Sequence, residues 1–587
     1  MNNQRRIFWL IALLSILVLV PFLGESLFYS KGEPREAIMA VSMLQSGNWI
    51  LPVNYGTDIA FKPPFLYWCI AAVSWLTGEV SEFTTRFPSA VACIGMLLFF
   101  FRFVRRRLGQ ELAVLTTLLL LTSFEVHRAA VAGRVDMVQV AFIVVALCLL
   151  YAWDEQGQKR FPWIAIGCMA CATLTKGPVG AIFPCMVTGV YLLMQKRGFW
   201  KSFGWMCCFG FLAILPYCGW MYLAYQQGGQ EVIDLMLEEN TGRFSGTMSY
   251  ASHENPVWYN FLTLIWGWIP WTLLFVASLF TLKRKTMEDT ATDGKVVEGK
   301  PAQSVAKAQG WMARVRGWWK SFCQQDPLQL FCWLAVLLIF IFYCIPKSKR
   351  SVYLLPIYPF MALFFAQYLR RLAEQGSKLF RSFSIVFGSL GLLLTLLFFA
   401  IRLGLVPDAI MGHGRHAAEN VGFLHALRDN YFDFAHWLLI LIPLVGALCL
   451  LRLCRKQASA RAHLYGVAGM LLCLFVALDG VYQPTVLSTK SDKKIAQRLT
   501  DLQPEGAIYS YGLYFYSINY YLGDRLRHIE REAPAGGSGF LIVPLFEEEK
   551  MVAELSSRYT LKPVFQTSYR SCDARAQVAC YYFYNRP

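Results

Sequence analysis

The chain is poor in charged residues, which make up 16% of its 587 positions, whereas hydrophobic residues make up 56%. Its mean hydropathy is +0.41, and the apolar residues come in repeated long runs. This composition excludes a single soluble domain and predicts an α-helical polytopic membrane protein. Acidic residues are also scarce, with 38 Asp and Glu against 55 Lys and Arg, which gives a net charge of +17.

Three further features are missing or rare. The first apolar run, residues 7–24, lacks a good small-residue cleavage site, so we predict a retained span rather than a signal peptide. No convincing repeat relates the two halves of the chain, which argues against a transporter built from internal repeats. Of 17 cysteines, only Cys572 and Cys580 lie in the polar tail. These two are candidates for a disulfide outside the cytoplasm.

About thirteen apolar runs are candidate spans of the roughly 30 Å hydrocarbon layer. They are residues 7–24, 84–101, 109–122, 136–153, 161–174, 178–195, 203–225, 258–282, 328–346, 353–369, 382–401, 434–451 and 464–480.

Lys and Arg residues concentrate in alternate loops, as is typical of cytoplasmic loops. These clusters are Arg5 and Arg6, residues 102–107, 159–160, 196–201, 283–327, 370–381 and 452–461. The pattern predicts a cytoplasmic N-terminus and an outside C-terminus. Because topology explains most of the positive charge, we expect membrane lipids, above all anionic ones, and not nucleic acid as partners.

The same pattern divides the chain into a transmembrane domain, 1–481, and a small extracytoplasmic α/β domain, 482–587. Within the first, 25–83 is a long outside loop with interfacial helices, and 283–327 is a lysine-rich cytoplasmic loop. The tail pattern predicts helices over 491–502 and 546–557, an aromatic alternating run over 507–521, and strands near 540–545 and 579–584.

The first outside loop begins with Lys31-Gly32-Glu33-Pro34-Arg35-Glu36-Ala37. Pro34 near a helix start and Gly47 as a stop predict a surface helix over 34–46. Glu33 has two readings that spacing does not separate. It is either a catalytic carboxylate facing the membrane interface or a cap that favours the helix dipole.

Further polar residues lie at the ends of apolar runs. Lys62 precedes Pro63 and Pro64, where it either binds a phosphate or reaches for the lipid headgroups. His127, Arg128, Arg134 and Asp136 cluster at the mouth of the fourth span, and Asp136 is predicted to face a polar cavity because a lipid-facing carboxylate is costly. Lys176 lies in a tight turn before Pro178.

Lys347-Ser348-Lys349-Arg350 places three cations in a hairpin that the span count assigns to the outside, against the usual charge bias. A bound phosphate explains this, and a miscounted span is the alternative. Near Arg243, His253 is either a ligand of a divalent metal or a hydrogen-bonding residue. The metal is therefore undetermined, and no definite cofactor follows from the sequence.

In this order, the motifs resemble those of the GT-C glycosyltransferases of the protein O-mannosyltransferase and lipid A aminoarabinose transferase superfamily. Gly32 to Ala37 correspond to that family's Asp-Glu-x-Arg-Tyr-Ala motif, Lys62-Pro63-Pro64 to its Glu-Lys-Pro, and Asp136 to the aspartate that opens its fourth span. Lys176-Gly177, His253 and Lys349 to Pro356 follow in the family's order. Two carboxylates of the family are replaced here, by Gly32 and Phe61, so the resemblance implies weak metal binding or none.

The resemblance implies sugar transfer outside the cytoplasm from a polyprenyl-phosphate donor. It favours transfer of an aminoarabinose-like sugar to lipid A, with a protein hydroxyl as the alternative acceptor. This lipid-carrier chemistry suits a bacterial inner membrane. Glu33 and Asp136 would be the catalytic carboxylates, and a cation cluster would hold the donor phosphate: Lys62, Lys176, Lys347, Lys349 and Arg350. Other residues expected in the cavity are Arg35, Glu36, Arg134, Arg243 and His253. A flippase for lipid-linked sugars and a structural membrane protein are the alternatives from other classes.

Overall fold

The computed structural model describes residues 3–60, 62–242, 245, 254–280, 325–414, 416–456, 458–532, 534 and 537–586. Most of this chain is helical. The helices of the first half are α1 (Asn3–Leu19), α2 (Gly32–Ser46), α3 (Phe65–Thr77), α4 (Glu82–Leu108), α5 (Gln110–Leu121), α6 (Phe124–Ala130), α7 (Val135–Glu155), α8 (Trp163–Lys176), α9 (Val179–Met194), α10 (Phe199–Leu237), α11 (Trp258–Gly267) and α12 (Trp271–Phe280).

The second half continues the helical bundle and ends in a sheet. Its helices are α13 (Pro327–Cys344), a 3-10 turn (Ser351–Ile357), α14 (Tyr358–Glu374), α15 (Lys378–Arg402), α16 (Ala417–Asp429), α17 (Phe434–Arg455), α18 (Ala460–Ala477), α19 (Gln483–Leu487), α20 (Lys493–Leu502), α21 (Tyr516–Tyr521) and α22 (Glu548–Leu555). The helical path from Ala460 continues as far as Lys490. The division at residue 481 stays a prediction.

Eight helices of the described chain are long and apolar enough to cross a membrane, or up to ten if each of two bent pairs is one span. The bent pairs are α5 with α6, at 68°, and α11 with α12, at 100°. The predicted number of about thirteen includes three runs that this criterion of length does not count. The remaining three apolar runs form α1, α8 and α9, which have 17, 14 and 16 residues and are shorter than a usual span.

The surface helix predicted over 34–46 corresponds to α2, but most residues of α2 are buried. Helix α2 ends at Gly47, whose φ of 69° is the left-handed conformation that suits glycine. Helix α3 begins directly after Pro64. Between them, a two-stranded hairpin pairs β1 (Val53–Asn54) with β2 (Asp58–Ile59). The predicted loop 283–327 lies almost entirely outside the described residues.

The tail forms a five-stranded mixed sheet with the order β4-β3-β5-β7-β6. Its strands are β3 (Ile508–Ser510), β4 (Leu526–His528), β5 (Ser538–Pro544), β6 (Tyr559–Gln566) and β7 (Val578–Asn585). The predicted strands correspond to β5 and β7, and the aromatic run contains β3 and α21. The sequence reading missed β4, which has three residues, and β6, which contains Pro563 and tolerates it because β6 is an edge strand.

Tyrosines attach the sheet to the helical part of the chain. Tyr521 Oη donates to Glu82 Oε1 (2.7 Å), and Tyr520 Oη donates to the Val80 carbonyl (2.8 Å), both at the start of α4. Tyr514 Oη donates to Asp58 in the β1–β2 hairpin at 2.7 Å. The sheet therefore lies at the N-terminal end of α4, and the basic residues 105–107 end this helix at the other side.

Cys572 and Cys580, the candidates for a disulfide, are both free thiols in this structure. Cys580 is buried in β7 between Ile542 and Phe565 of the neighbouring strands. The Cys572 sulfur instead lies 3.2 Å from Asp492 Oδ2, in the loop that precedes β7.

Candidate active site

Asp136 and Lys176 form an ion pair where α7 begins and α8 ends. Asp136 is buried, and the Lys176 ammonium also lies 4.7 Å from the centre of the Tyr353 ring. Gly177, with a φ of 98°, ends α8 directly after the lysine, and a Cβ there would lie 2.6 Å from Asn240 Oδ1. A polar site around Asp136 was predicted, and the structure pairs this carboxylate with a lysine from the next helix.

Two guanidinium groups flank this pair. The charges of Arg134 and Arg350 both act on Asp136. Burial lowers the pKa of Arg134, the charge of Asp136 raises it, and the charge of Arg350 lowers it further. An arginine nevertheless stays charged. In the described part of the chain, neither guanidinium has a hydrogen bond or an ion pair. Two cations are thus left without an anion beside Asp136 and Lys176.

Glu33 is held by Arg86 in a two-pronged ion pair, with Nε–Oε1 at 2.8 Å and Nη2–Oε2 at 3.0 Å. The Gly133 N–H also donates to Glu33 Oε1 (2.8 Å). Burial alone would raise the pKa of Glu33, but Arg86 and Gly133 hold it below its usual value. Glu33 therefore does not cap α2, and both of its carboxylate oxygens accept hydrogen bonds from Arg86 or Gly133.

The remaining two acids of the cluster are also paired. Arg35 Nη2 contacts Glu36 Oε1 at 3.1 Å, and Lys62 pairs with Glu239 in the turn that follows α10. Lys62 and Glu239 are both buried, so this lysine does not reach for the headgroups. Sequence reasoning missed Glu239, because no local pattern links it to a lysine 177 positions earlier in the chain.

The structure separates the other predicted phosphate ligands. Lys347 is exposed, whereas the Lys349 ammonium is buried and donates to the carbonyl of Pro346. Of the hairpin, Arg350 is the residue whose charge acts on Asp136. The predicted site residues Arg243 and His253, and Phe61 of the metal argument, lie outside the described residues.

Among the described residues, every carboxylate of the cluster has a cationic partner, whereas two of its arginines have no carboxylate partner. Glu33, Glu36, Asp136 and Glu239 are matched one to one by Arg86, Arg35, Lys176 and Lys62. Arg134 and Arg350 are left in excess. A phosphate accepts several charge-assisted hydrogen bonds from such groups and would complete the balance.

The family described as dolichyl-phosphate-mannose-protein mannosyltransferase matches residues 61–220, which include Lys62, Asp136 and Lys176. An undecaprenyl phosphate-alpha-4-amino-4-deoxy-L-arabinose arabinosyl transferase of Edwardsiella ictaluri is 28% identical over 472 residues, 78% of this chain and 75% of the relative. These matches confirm the predicted resemblance to the GT-C glycosyltransferases. A transferase of the same description from Shewanella sediminis is 25% identical, and the match covers 67% of this chain and 66% of that transferase.

The fold of the chain agrees with that of a solved structure. The crystal structure of ArnT from Cupriavidus metallidurans bound to undecaprenyl phosphate has a TM-score of 0.68 at 18% identity. The match covers 99% of this chain and 98% of that one, including the C-terminal sheet. The protein is accordingly a multi-pass membrane protein with a small C-terminal α/β part.

A cavity of about 350 Å³ adjoins Glu33 and Arg86 on the side of α1, α6 and α18. His127 lines it and pairs with Asp479 (2.8 Å), while Arg128 pairs with Glu125. The predicted cluster at the mouth of the fourth span is thus divided. Arg134 and Asp136 belong to the ion-pair cluster, and His127 and Arg128 to this mostly apolar cavity.

Sequence reasoning also missed Arg86, which anchors Glu33. Besides that ion pair, its Nη1 donates to the carbonyls of Leu23 (2.8 Å) and Ser26 (2.6 Å). A signal was present in the sequence, since an arginine inside the first turns of an apolar span is rare unless it is paired.

We expect Gly32→Ala to lower sugar transfer by about tenfold or more. A Cβ at position 32 would lie 1.6 Å from Arg134 Nη1, so the guanidinium must leave its place. Loss of one positioned donor costs about 100-fold in comparable sites, and partial displacement should cost less. The initial rate of transfer by the purified protein in lipid measures the effect.

Gly95→Ala in α4 is the matched control, because a Cβ there meets no atom within 4 Å. It should keep wild-type activity. Full activity in Gly32→Ala would contradict the importance of the Arg134 position.

Proposed function

We propose that this protein transfers an aminoarabinose-like sugar from a polyprenyl-phosphate donor to a phosphate group of lipid A. The named activity of its curated relatives supports this proposal, as does the bound undecaprenyl phosphate of the ArnT structure. In the reaction, the bond between the sugar's anomeric carbon and the donor phosphate breaks. A new bond forms from that carbon to the acceptor oxygen, and polyprenyl phosphate leaves.

The unmatched pair of guanidinium groups is the observation that carries this proposal. Arg134 and Arg350 are the positive charges left over where Asp136 and Lys176 meet. The leaving group gains negative charge on a phosphate as the sugar departs, and positioned cations stabilise that charge most in a site of low dielectric constant. Arg134, Arg350 and Lys176 would bind the donor phosphate, with Asp136 positioning Lys176.

The pairing of the carboxylates favours an ionised acceptor. Glu33, Glu36, Asp136 and Glu239 each have a cationic partner. A carboxylate held by a cation is a weak general base, because the pairing stabilises its ionised form. A serine or threonine hydroxyl needs such a base, whereas a lipid phosphate is already ionised. The protein-acceptor alternative is therefore the less favoured one.

We also propose that the site and the C-terminal sheet face the periplasm. The basic ends of several helices lie together, as Arg105 Nη1 donates to the Gln4 carbonyl (3.3 Å) and Arg461 pairs with Glu111 (2.9 Å). Short basic segments stay cytoplasmic. The sheet adjoins the opposite end of α4, through Tyr521 and Glu82. This supports an inner-membrane protein with a cytoplasmic N-terminus.

The proposal is tested with the full-length protein in lipid nanodiscs and a mixed pool of polyprenyl-phosphate sugars. Three acceptors are compared: lipid A, lipid A stripped of its phosphates, and a peptide rich in serine and threonine. We expect a product of increased mass from intact lipid A alone, and that mass identifies the sugar.

The other results would each replace the proposal. Modification of the peptide would favour the protein-acceptor alternative. A donor that crosses the bilayer in proteoliposomes without forming any product would favour the flippase. Modification of phosphate-free lipid A would mean that the acceptor is a hydroxyl of lipid A and not a phosphate.

A further inference from the structure

A second polar cluster lies in the C-terminal part, beside α21, which packs against α2. Three segments meet there: Asp492 before α20, Ser517 in α21, and the run Ser571-Cys572-Asp573 before β7. Asp492, Cys572 and Asp573 each offer a ligand atom, and these atoms lie within 4.8 Å of one another. They form the one such group of three found among the described residues.

Both carboxylates of this cluster are buried, with exposures of 0% for Asp492 and 5% for Asp573. Neither forms an ion pair within the part of the chain that the structure describes. Lys31 is the cation whose charge reaches Asp573, and it is itself exposed. Two adjacent buried carboxylates without a cation are costly to maintain, since burial removes the water that would solvate them.

The hydrogen bonds of the cluster leave one oxygen unused. Asp492 accepts from Ser571 Oγ (2.9 Å) and from the Cys572 N–H (3.1 Å), and Asp573 Oδ2 accepts from the Ser517 N–H (2.7 Å). In contrast, Asp573 Oδ1 is buried and has no partner among the described residues. An unused oxygen of a buried carboxylate, beside a thiol and a second carboxylate, is an arrangement that suits a bound cation.

We propose that Asp492, Cys572 and Asp573 bind one divalent metal ion of the zinc class. A thiolate ligand favours zinc over calcium or magnesium, which prefer oxygen ligands alone. Ligand atoms around a tetrahedral zinc with bonds of about 2.0–2.3 Å lie about 3.3–3.8 Å apart. The Cys572 sulfur already lies 3.2 Å from Asp492 Oδ2, so small movements suffice.

The ion would join α20, α21 and the loop before β7, and it would therefore brace the C-terminal part. Binding requires that Cys572 lose its proton to solvent, so the affinity should fall as the pH falls. This role is independent of sugar transfer and survives even if the proposed function fails.

Cadmium is the probe for the test, because a cadmium–thiolate bond has its own ultraviolet charge-transfer band. The full-length protein, purified with a chelator and then freed of it, is titrated with Cd²⁺. We expect the band to saturate at one ion per chain in the wild type and in Cys580→Ala. Cys580 is the matched control, because it is a buried thiol of the same sheet outside the cluster.

The band should be lost in Cys572→Ala. Asp573→Asn keeps the thiol but removes one carboxylate ligand. It should weaken Cd²⁺ binding by at least about tenfold, the loss that removal of even an outer-shell partner causes. Zn²⁺ should raise the unfolding temperature of the wild type and of Cys580→Ala only. A band that persists in Cys572→Ala, or a wild type without any band, would overturn the proposal in favour of two carboxyl groups that share a proton.

Discussion

Asp136→Asn should lower the rate of sugar transfer by about 100- to 1,000-fold, the loss seen when a positioned charge-stabilising group is removed. Without the carboxylate, the Lys176 ammonium loses its ion-pair partner and becomes a third unmatched cation beside Arg134 and Arg350. It would then move away from these arginines or hold the leaving phosphate too tightly. The initial rate and its dependence on donor concentration measure the change.

Asp154→Asn is the control for this variant. Asp154 lies on the same helix, at its other end, is 2% exposed and pairs with Arg197 at 3.1 Å. The substitution therefore removes a comparable buried charge without touching the site, and transfer should stay near the wild-type rate. Equal losses in both variants would mean that Asp136 acts through stability alone. Asp136→Glu should restore part of the activity.

Glu33→Gln and Arg86→Met should each lower the free energy of unfolding by about 3–5 kcal/mol, because each leaves its partner as a buried, unpaired charge. The side chains are only 6% and 4% exposed. The double substitution should cost less than the sum of the single ones, since no charge is then left alone. Chemical unfolding in mixed micelles gives all four values.

Arg461→Met provides the comparison, because its pair with Glu111 is 53% and 43% exposed and should contribute about 0–1 kcal/mol.

The pair at Glu33 also predicts a pH dependence. Because its pKa is lowered in the folded protein, its stabilisation is fully present above pH 4.5, the ordinary pKa, and is lost as the pH falls through the lower folded value. Glu33→Gln removes this dependence.

The two roles suggested for Glu33 give different results in this experiment. If Glu33 were the catalytic base, Glu33→Gln would keep its stability and lose transfer. A structural ion pair predicts a large loss of stability in both single variants. The contacts of Glu33 with Arg86 and Gly133 favour the second result.

Local sequence was enough to locate most helices and strands, but it did not give their lengths. Each of the thirteen apolar runs falls mainly on a helix, yet α8 and α9 are too short to qualify as ordinary spans. Hydropathy reports that a segment is buried in something apolar, and a helix packed against other helices has the same signal as one facing lipid. In the tail, the three-residue β4 and the proline-containing β6 lack a usable alternation of apolar and polar residues, which is the pattern that predicts a strand.

The sequence alone determined the class of this protein and the residue types of its site. Local patterns are enough to recognise the long apolar runs, the basic loops and the order of motifs from Glu33 to Arg350. Tertiary structure decided the partners, namely Asp136 with Lys176, Glu33 with Arg86, and Lys62 with Glu239. Within the described part of the chain, it also left Arg134 and Arg350 without an ion-pair partner and placed Cys572 beside Asp492. Pairing depends on distances between segments remote in the chain, and helix packing alone fixes those distances.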